Sequence, residues 1–169
     1  MIRPCLTFVD RAEEAVKLYV SVFPNSKIVS MQRVESDGGP IPNGKLLNAT
    51  FELDGREYFA FDGGPTFTFT EGMSLMVTCD TQAEVDLYWT RLIEGGGEEG
   101  PCGWLKDRFG VSWQIVPSVL GDLLSDSKHG NSEAALQAML QMKKLDIAAL
   151  QKAYRGSPVA PPALRATSP

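Results

Sequence analysis

One histidine, His129, and three cysteines, Cys5, Cys79 and Cys102, are the whole supply of imidazole and thiol in this 169-residue chain. No CxxC and no Cys/His ligand spacing occurs among them, which excludes a zinc-finger or zinc-ribbon reading. Three thiols cannot all pair with one another, so reduced cysteines in a cytoplasmic protein are expected. Positive charge is also short: 16 Lys and Arg stand against 21 Asp and Glu, a net charge of −5. A protein that grips nucleic acid needs a basic stripe, and the sequence has none; neither nucleic acid nor an anionic membrane is an expected partner. No apolar run approaches a membrane span, and MIRPCLTFVDRAEEAV lacks the apolar stretch of a signal peptide, so no leader is expected. There is no GxSxG nucleophile elbow. Neither Gly63-Gly64-Pro65 nor Gly95-Gly96-Gly97 has the strand–turn–helix setting of a nucleotide-binding loop, and both read as turns.

What is present is an ordinary globular composition, 43% hydrophobic and 22% charged, with punctuation that repeats. Ile2 to Phe8 reads as a strand, followed by Asp10 as N-cap with Glu13 three residues on, a capping-box pattern. Ala15, Val16, Tyr19, Val20 and Phe23 recur at helical spacing until Pro24-Asn25-Ser26 stops the helix. Lys27 to Arg33 reads as a strand and 37–44 as a loop. Leu46 to Leu53 and Arg56 to Phe61 flank Asp54-Gly55, the pair that supplies positive φ to a type I′ hairpin turn. After Gly63-Gly64-Pro65 the pattern restarts: a strand over Ser74 to Cys79, Asp80 as cap, and a helix carrying Val85, Tyr88, Trp89 and Leu92. A weak strand signal near Glu98 follows, then strands over Trp104 to Lys106 and Val111 to Val116. The segment Asp10–Tyr19 rhymes with Asp80–Tyr88, each running from a strand into a capped helix with an aromatic about two turns in. The fold class expected is α+β: two βαβββ modules, about 1–63 and 72–117, enclosing a cleft, plus a C-terminal helix over about 131–154. That helix carries a Met-rich stripe able to complete the core, cover the cleft or meet a second subunit. The Pro/Ala-rich residues 156–169 read as a tail.

Four blocks carry a family resemblance: Phe61–Phe69 (FDGGPTFTF), Glu84–Trp89 (EVDLYW), Cys102–Pro117 (CGWLKDRFGVSWQIVP) and Met139–Leu150 (MLQMKKLDIAAL). With them the chain resembles the PhnB-like branch of the glyoxalase, bleomycin-resistance and vicinal-oxygen-chelate superfamily. That branch is also known as the 3-demethylubiquinone 3-methyltransferase-like domain. The resemblance implies the paired-module fold, a pocket and, frequently, a homodimer. Metal-dependent members place His or Glu at four inward-facing strand positions. Matched to this sequence, those positions fall on Pro4 (with Cys5 beside it), on Ser74, within Tyr58 to Asp62, and on Gln114. Proline cannot ligate through its side chain, and Ser and neutral Gln are weak ligands for first-row divalent ions, so no metal is expected. His129 lies in a polar loop outside both modules. The absence of a nucleotide-binding turn argues against S-adenosylmethionine, and no cofactor is expected.

Remaining candidates are few. Asp62 and Asp107 could serve as bases if desolvated, with Asp107 better read as the cap of the turn it begins. Cys102 is the most placed thiol, though a small packed residue is the simpler reading. By alternation Trp113 faces a helix while Gln114 faces the cleft. The expected ligand pocket therefore comprises Asp62, Phe67, Phe69, Ser74, Cys102, Trp104 and Gln114: an apolar site with polar guides. The function expected is metal-free binding of a small molecule by a homodimer. The alternative is an enzyme: a divergent metal-dependent lyase or dioxygenase, one using Asp62 or Cys102, or the 3-demethylubiquinone methyltransferase-like enzyme that the branch's other name implies.

Overall fold

A computed structural model describes residues 2–156; the expected tail lies, from residue 157 on, outside the described residues. The first module runs β1 (Cys5–Phe8), α1 (Ala12–Val22), β2 (Lys27–Arg33), β3 (Leu46–Leu53) and β4 (Arg56–Asp62). The second runs β5 (Leu75–Cys79), α2 (Gln82–Ile93), β6 (Glu98–Glu99), β7 (Trp104–Lys106) and β8 (Ser112–Pro117). Their sheets have the same plan: β1-β4-β3-β2 and β5-β8-β7-β6, with the first strand of each module parallel to its last and every other pair antiparallel. The two βαβββ modules of the sequence reading are thus present, including the weakly signalled strand at Glu98. Asp54 and Gly55 both have positive φ, 48° and 73°, as the hairpin turn requires.

Alternation assigns the faces. On the helix side of the first sheet lie Leu6, Phe8, Ala49, Phe51, Leu53 and Ala60, all buried. On that of the second lie Cys79, Leu105, Trp113 and Ile115. The modules meet through these helix-side surfaces. Phe23 stacks on Trp113 at 5.2 Å between ring centroids, Tyr19 meets the same indole edge-on at 5.1 Å, and Phe23 meets Tyr88 at 5.1 Å. One core therefore spans both modules, and the outer faces of the sheets are left on the open side.

Helix starts differ from the sequence reading in an instructive way. Asp10 does not cap α1: the helix opens at Ala12, whose N–H donates to Asp62 Oδ1 at 2.8 Å from the end of β4. Glu13, expected to complete a capping box, instead pairs with Lys17 and Arg33, whose hydrogen bonds pull its carboxyl down to about 2. For α2 the cap sits one residue past Asp80, on Thr81, with Glu84 closing a true capping box.

The expected continuous helix over 131–154 is two helices, α4 (Ser132–Leu140) and α5 (Ile147–Arg155), preceded by α3 (Leu120–Ser125). The break has a tertiary cause. The carbonyls of Met142 and Lys143 turn away to accept the N–H groups of Cys102 (2.8 Å) and Gly103 (2.7 Å). Leu145 then packs, fully buried, beneath Gly103, the Gln82 amide bonds both Leu145 O and Ile147 N, and Asp146 caps the new helix through Ala149 N. With Leu120, Leu123, Ala135 and Leu150 this segment forms a second, smaller core against the end of β8.

Candidate functional site

β1 and β5 are edge strands of their sheets, and a cavity of about 240 Å³ opens where they approach. Cys5, Leu6 and Thr7 of β1 form one wall; Ser74 and Leu75 at the start of β5 form another. The connecting segment between the modules crosses it with Phe67 and Phe69. Phe69 is anchored edge-on to Phe8 at 5.1 Å, so part of this cover is tied into the core, whereas Phe67 is 48% exposed. At the polar end of the cavity Gln114 Nε2 donates to Ser74 Oγ at 2.8 Å.

A second cavity, about 380 Å³, lies on the open face of β7 and β8 and shares no lining residue with the first. Trp104, Lys106 and Ser112 contribute to it, together with Glu71 from the connecting segment. The seven residues expected to form one pocket are thus distributed. Phe67, Phe69 and Ser74 line the seam cavity, with Gln114 bonded to Ser74; Trp104 lines the other. Asp62 is occupied by the N-terminus of α1. Cys102 belongs to neither cavity: it holds a left-handed φ of 56° at the docking point of the C-terminal segment. Sequence alternation could not separate the two cavities, because Trp104 and Gln114 are cross-strand partners on one face. Ser112 was not among the expected residues, although its place two residues before Gln114 puts it on that face.

The other candidates have structural employment. Asp107 is 3% exposed and accepts four hydrogen bonds: from Tyr19 Oη at 2.6 Å, Trp113 Nε1 at 2.9 Å, and the N–H groups of Phe109 and Val111 at 2.9 and 3.0 Å. It caps its turn and ties it to α1. Burial, and then the adjacent Asp107 carboxylate, push the Tyr19 phenol well above its ordinary range. His129 sits in the exposed loop with Nδ1 2.8 Å from Asp126 Oδ2.

The four positions aligned with metal ligands do not assemble a metal site. On β4, Tyr58, Ala60 and Asp62 face the helix side: Tyr58 stacks on Phe51, Ala60 is fully buried, and Asp62 reaches α1. The inward positions of that strand are therefore Phe59 and Phe61, which pair with Cys5 and Thr7. Phenyl rings cannot ligate, and a Ser–Gln hydrogen bond occupies the other side. Among the described residues no group of three or more His, Cys, Asp or Glu converges as metal ligands would. The turns leading into α1 and α2, Val9–Arg11 and Asp80–Thr81, contain no glycine. The N–H groups there are taken by Asp62, Thr81 and Glu84. These residues do not fit a Rossmann-type nucleotide cofactor.

Residues 1–116 match the family described as 3-demethylubiquinone-9 3-methyltransferase. The PhnB protein from Bacillus cereus is 38% identical over 69% of this chain and 98% of its own, with a TM-score of 0.63. A Pseudomonas aeruginosa protein shares the fold at 23% identity and a TM-score of 0.58, over 69% of this chain and 96% of its own. So does the fosfomycin resistance protein FosX from Mesorhizobium loti, at 14% identity and 0.53, over 75% and 97%. No curated protein matches the sequence at a significant level. The family match ends at residue 116, so the Met139–Leu150 block lies beyond it. With the paired four-stranded sheets, these likenesses establish that the chain belongs to the PhnB-like 3-demethylubiquinone-9 3-methyltransferase family.

Proposed function

We propose that this chain binds a small molecule, without a metal ion, in the cavity at the seam of its two modules, and that it does so as a homodimer. The observation that carries this reading is the Ser74–Gln114 hydrogen bond, 2.8 Å long, at two positions where metal-dependent members of the superfamily carry ligands. A neutral donor–acceptor pair beside Phe67, Phe69 and Leu75 suits an uncharged or weakly polar ligand, held by apolar contact and oriented by one amide and one hydroxyl. The homodimer is supported by the open sheet faces. Val29, at the bulge of β2 opposite Thr50, and Met76 on β5 are 48% and 65% exposed, apolar side chains that a second copy would cover. No helix among the described residues is long and apolar enough to cross a membrane, and a cytoplasmic location with reduced thiols accords with three free cysteines.

The test is retention of metal by the purified chain after incubation with manganese, iron, nickel or zinc and desalting, followed by a small-molecule thermal-shift screen. No retention is expected, and hits should lose their shift in Ser74→Val and Gln114→Leu. Near-stoichiometric retention of one ion would overturn the metal-free reading and restore a lyase or dioxygenase to first place.

A further inference from the structure

We infer that the cavity on the open face of β7 and β8 is a second ligand site, separate from the seam cavity and built for a small aromatic cation. The register fixes its geometry. Lys106 pairs with Ser112, and Trp104 with Gln114, so all four side chains stand on one face. Trp113, between Ser112 and Gln114, is buried in the core on the other. Ser112 is 3% exposed, and its Oγ has no hydrogen-bond partner among the described residues. A buried hydroxyl without a partner is destabilising, and such groups in native proteins call for an explanation. Here a ligand N–H directed into the cavity would satisfy it.

The charge of the lining selects the ligand. Among the described residues Lys106 is the one cationic side chain lining this cavity, and Glu71 already holds its ammonium at 2.6 Å. Glu98 faces it from the paired strand. Glu99 also contributes to the wall, with its carboxylate engaged by Trp89 Nε1 and Lys143. Glu99 stands opposite Leu105, so its carboxylate turns to the helix side; two carboxylates, Glu71 and Glu98, against the one ammonium of Lys106 leave the cavity negative. An anion would have to displace Glu71 and then meet Glu98, whereas a cation meets neither cost. Trp104 supplies an indole face for a flat, positively charged group. The volume, about 380 Å³, falls within the range of small-molecule sites, roughly 300–1,000 Å³.

Benzamidine, benzamide and benzoate present one ring with a positive, neutral or negative head. Each is titrated into the full chain at fixed ionic strength, with the Trp104 indole N–H followed by NMR. Benzamidine should saturate and bind more tightly than benzamide, with benzoate weakest. Ser112→Ala and Glu98→Gln should each weaken benzamidine roughly three- to tenfold, the worth of one hydrogen bond or one charge contact. Ser74→Ala, in the seam cavity, should leave it unchanged. Because the free chain leaves the Ser112 hydroxyl unpartnered, Ser112→Ala should also keep or raise the melting temperature, so lost binding there is not lost folding. Benzoate binding as tightly as benzamidine, no saturation by benzamidine, or full affinity in Ser112→Ala would each overturn the proposal. An equal loss in Ser74→Ala would assign the binding to the seam and overturn it as well.

Discussion

Asp107 gathers two side-chain donors and two backbone donors on two oxygens, and one of those donors, Tyr19, comes from the other module. A charged acceptor in that setting makes hydrogen bonds worth about 1.5–3 kcal/mol each. Tyr19→Phe should therefore lower unfolding free energy by about that amount. Asp107→Ala, which orphans four donors at once, should cost more, about 3–5 kcal/mol. Urea denaturation of both variants measures this. The same contact gives an alkaline signature. The folded phenol keeps its proton above its ordinary value near 10, so the unfolded chain ionises first. Stability from this group is full below about pH 10 and drains away as pH rises from there through the folded value. Ultraviolet titration should show a tyrosine that ionises only with unfolding, and the alkaline limb should flatten in Tyr19→Phe. Cys79 belongs to the same scale: burial, with Glu84 and Asp80 nearby, pushes its thiol up to about 12. At pH 8 iodoacetamide should modify exposed Cys5 and leave Cys79 intact in folded protein, with peptide mass spectrometry locating the label.

Among elements, those whose signal is local were legible. Asp-Gly fixed the β3–β4 hairpin because the positive φ it needs is a property of those two residues. The face of α2 followed from its own spacing. What sequence could not supply were partners from far along the chain. The cap of α1 comes from Asp62, fifty residues on, and the break between α4 and α5 is caused by the N–H groups of Cys102 and Gly103, about forty residues back. In isolation Met139–Leu150 continues a helical pattern; it stops because those two N–H groups take its carbonyls. The pocket was legible as a face and not as a division: alternation put Trp104 and Gln114 together, and the connecting segment then separated two cavities. Gly103 is where this docking is narrowest. Its φ is 84°, and an added Cβ would lie 2.8 Å from Ile115 O and 3.0 Å from Leu145 Cδ1. Gly103→Ala should cost about 2 kcal/mol or more, from backbone strain and displaced packing together. Hydrogen exchange should then speed up across α4 and α5 while α1 remains protected; uniform acceleration would mean that the C-terminal segment is no separable unit.

At the scale of the whole molecule, the helix sides of both sheets are spent on the shared core, and among the described residues their other faces carry no second layer. A sheet with one buried face normally reads apolar-in and polar-out. β5 departs from that rule: Met76 is 65% exposed on the open face, while Leu75, Val77 and Cys79 turn inward. Burying such a side chain fully is worth about 1.5–3 kcal/mol, and a two-fold interface counts it twice. Met76→Glu would place a carboxylate at that position in both copies, so the same symmetry doubles the penalty. Light scattering after size exclusion should find the unmodified chain at twice its 18.4 kDa mass and Met76→Glu at the monomer mass at micromolar concentration, with far-ultraviolet dichroism unchanged. Val29→Glu, at the bulge of β2 opposite Thr50, offers the same test on the first sheet. If both variants stay dimeric, the sheet faces are not the interface. If the unmodified chain is itself a monomer, the open faces must be covered by the ligand and the connecting segment alone, and the seam cavity is complete within one chain.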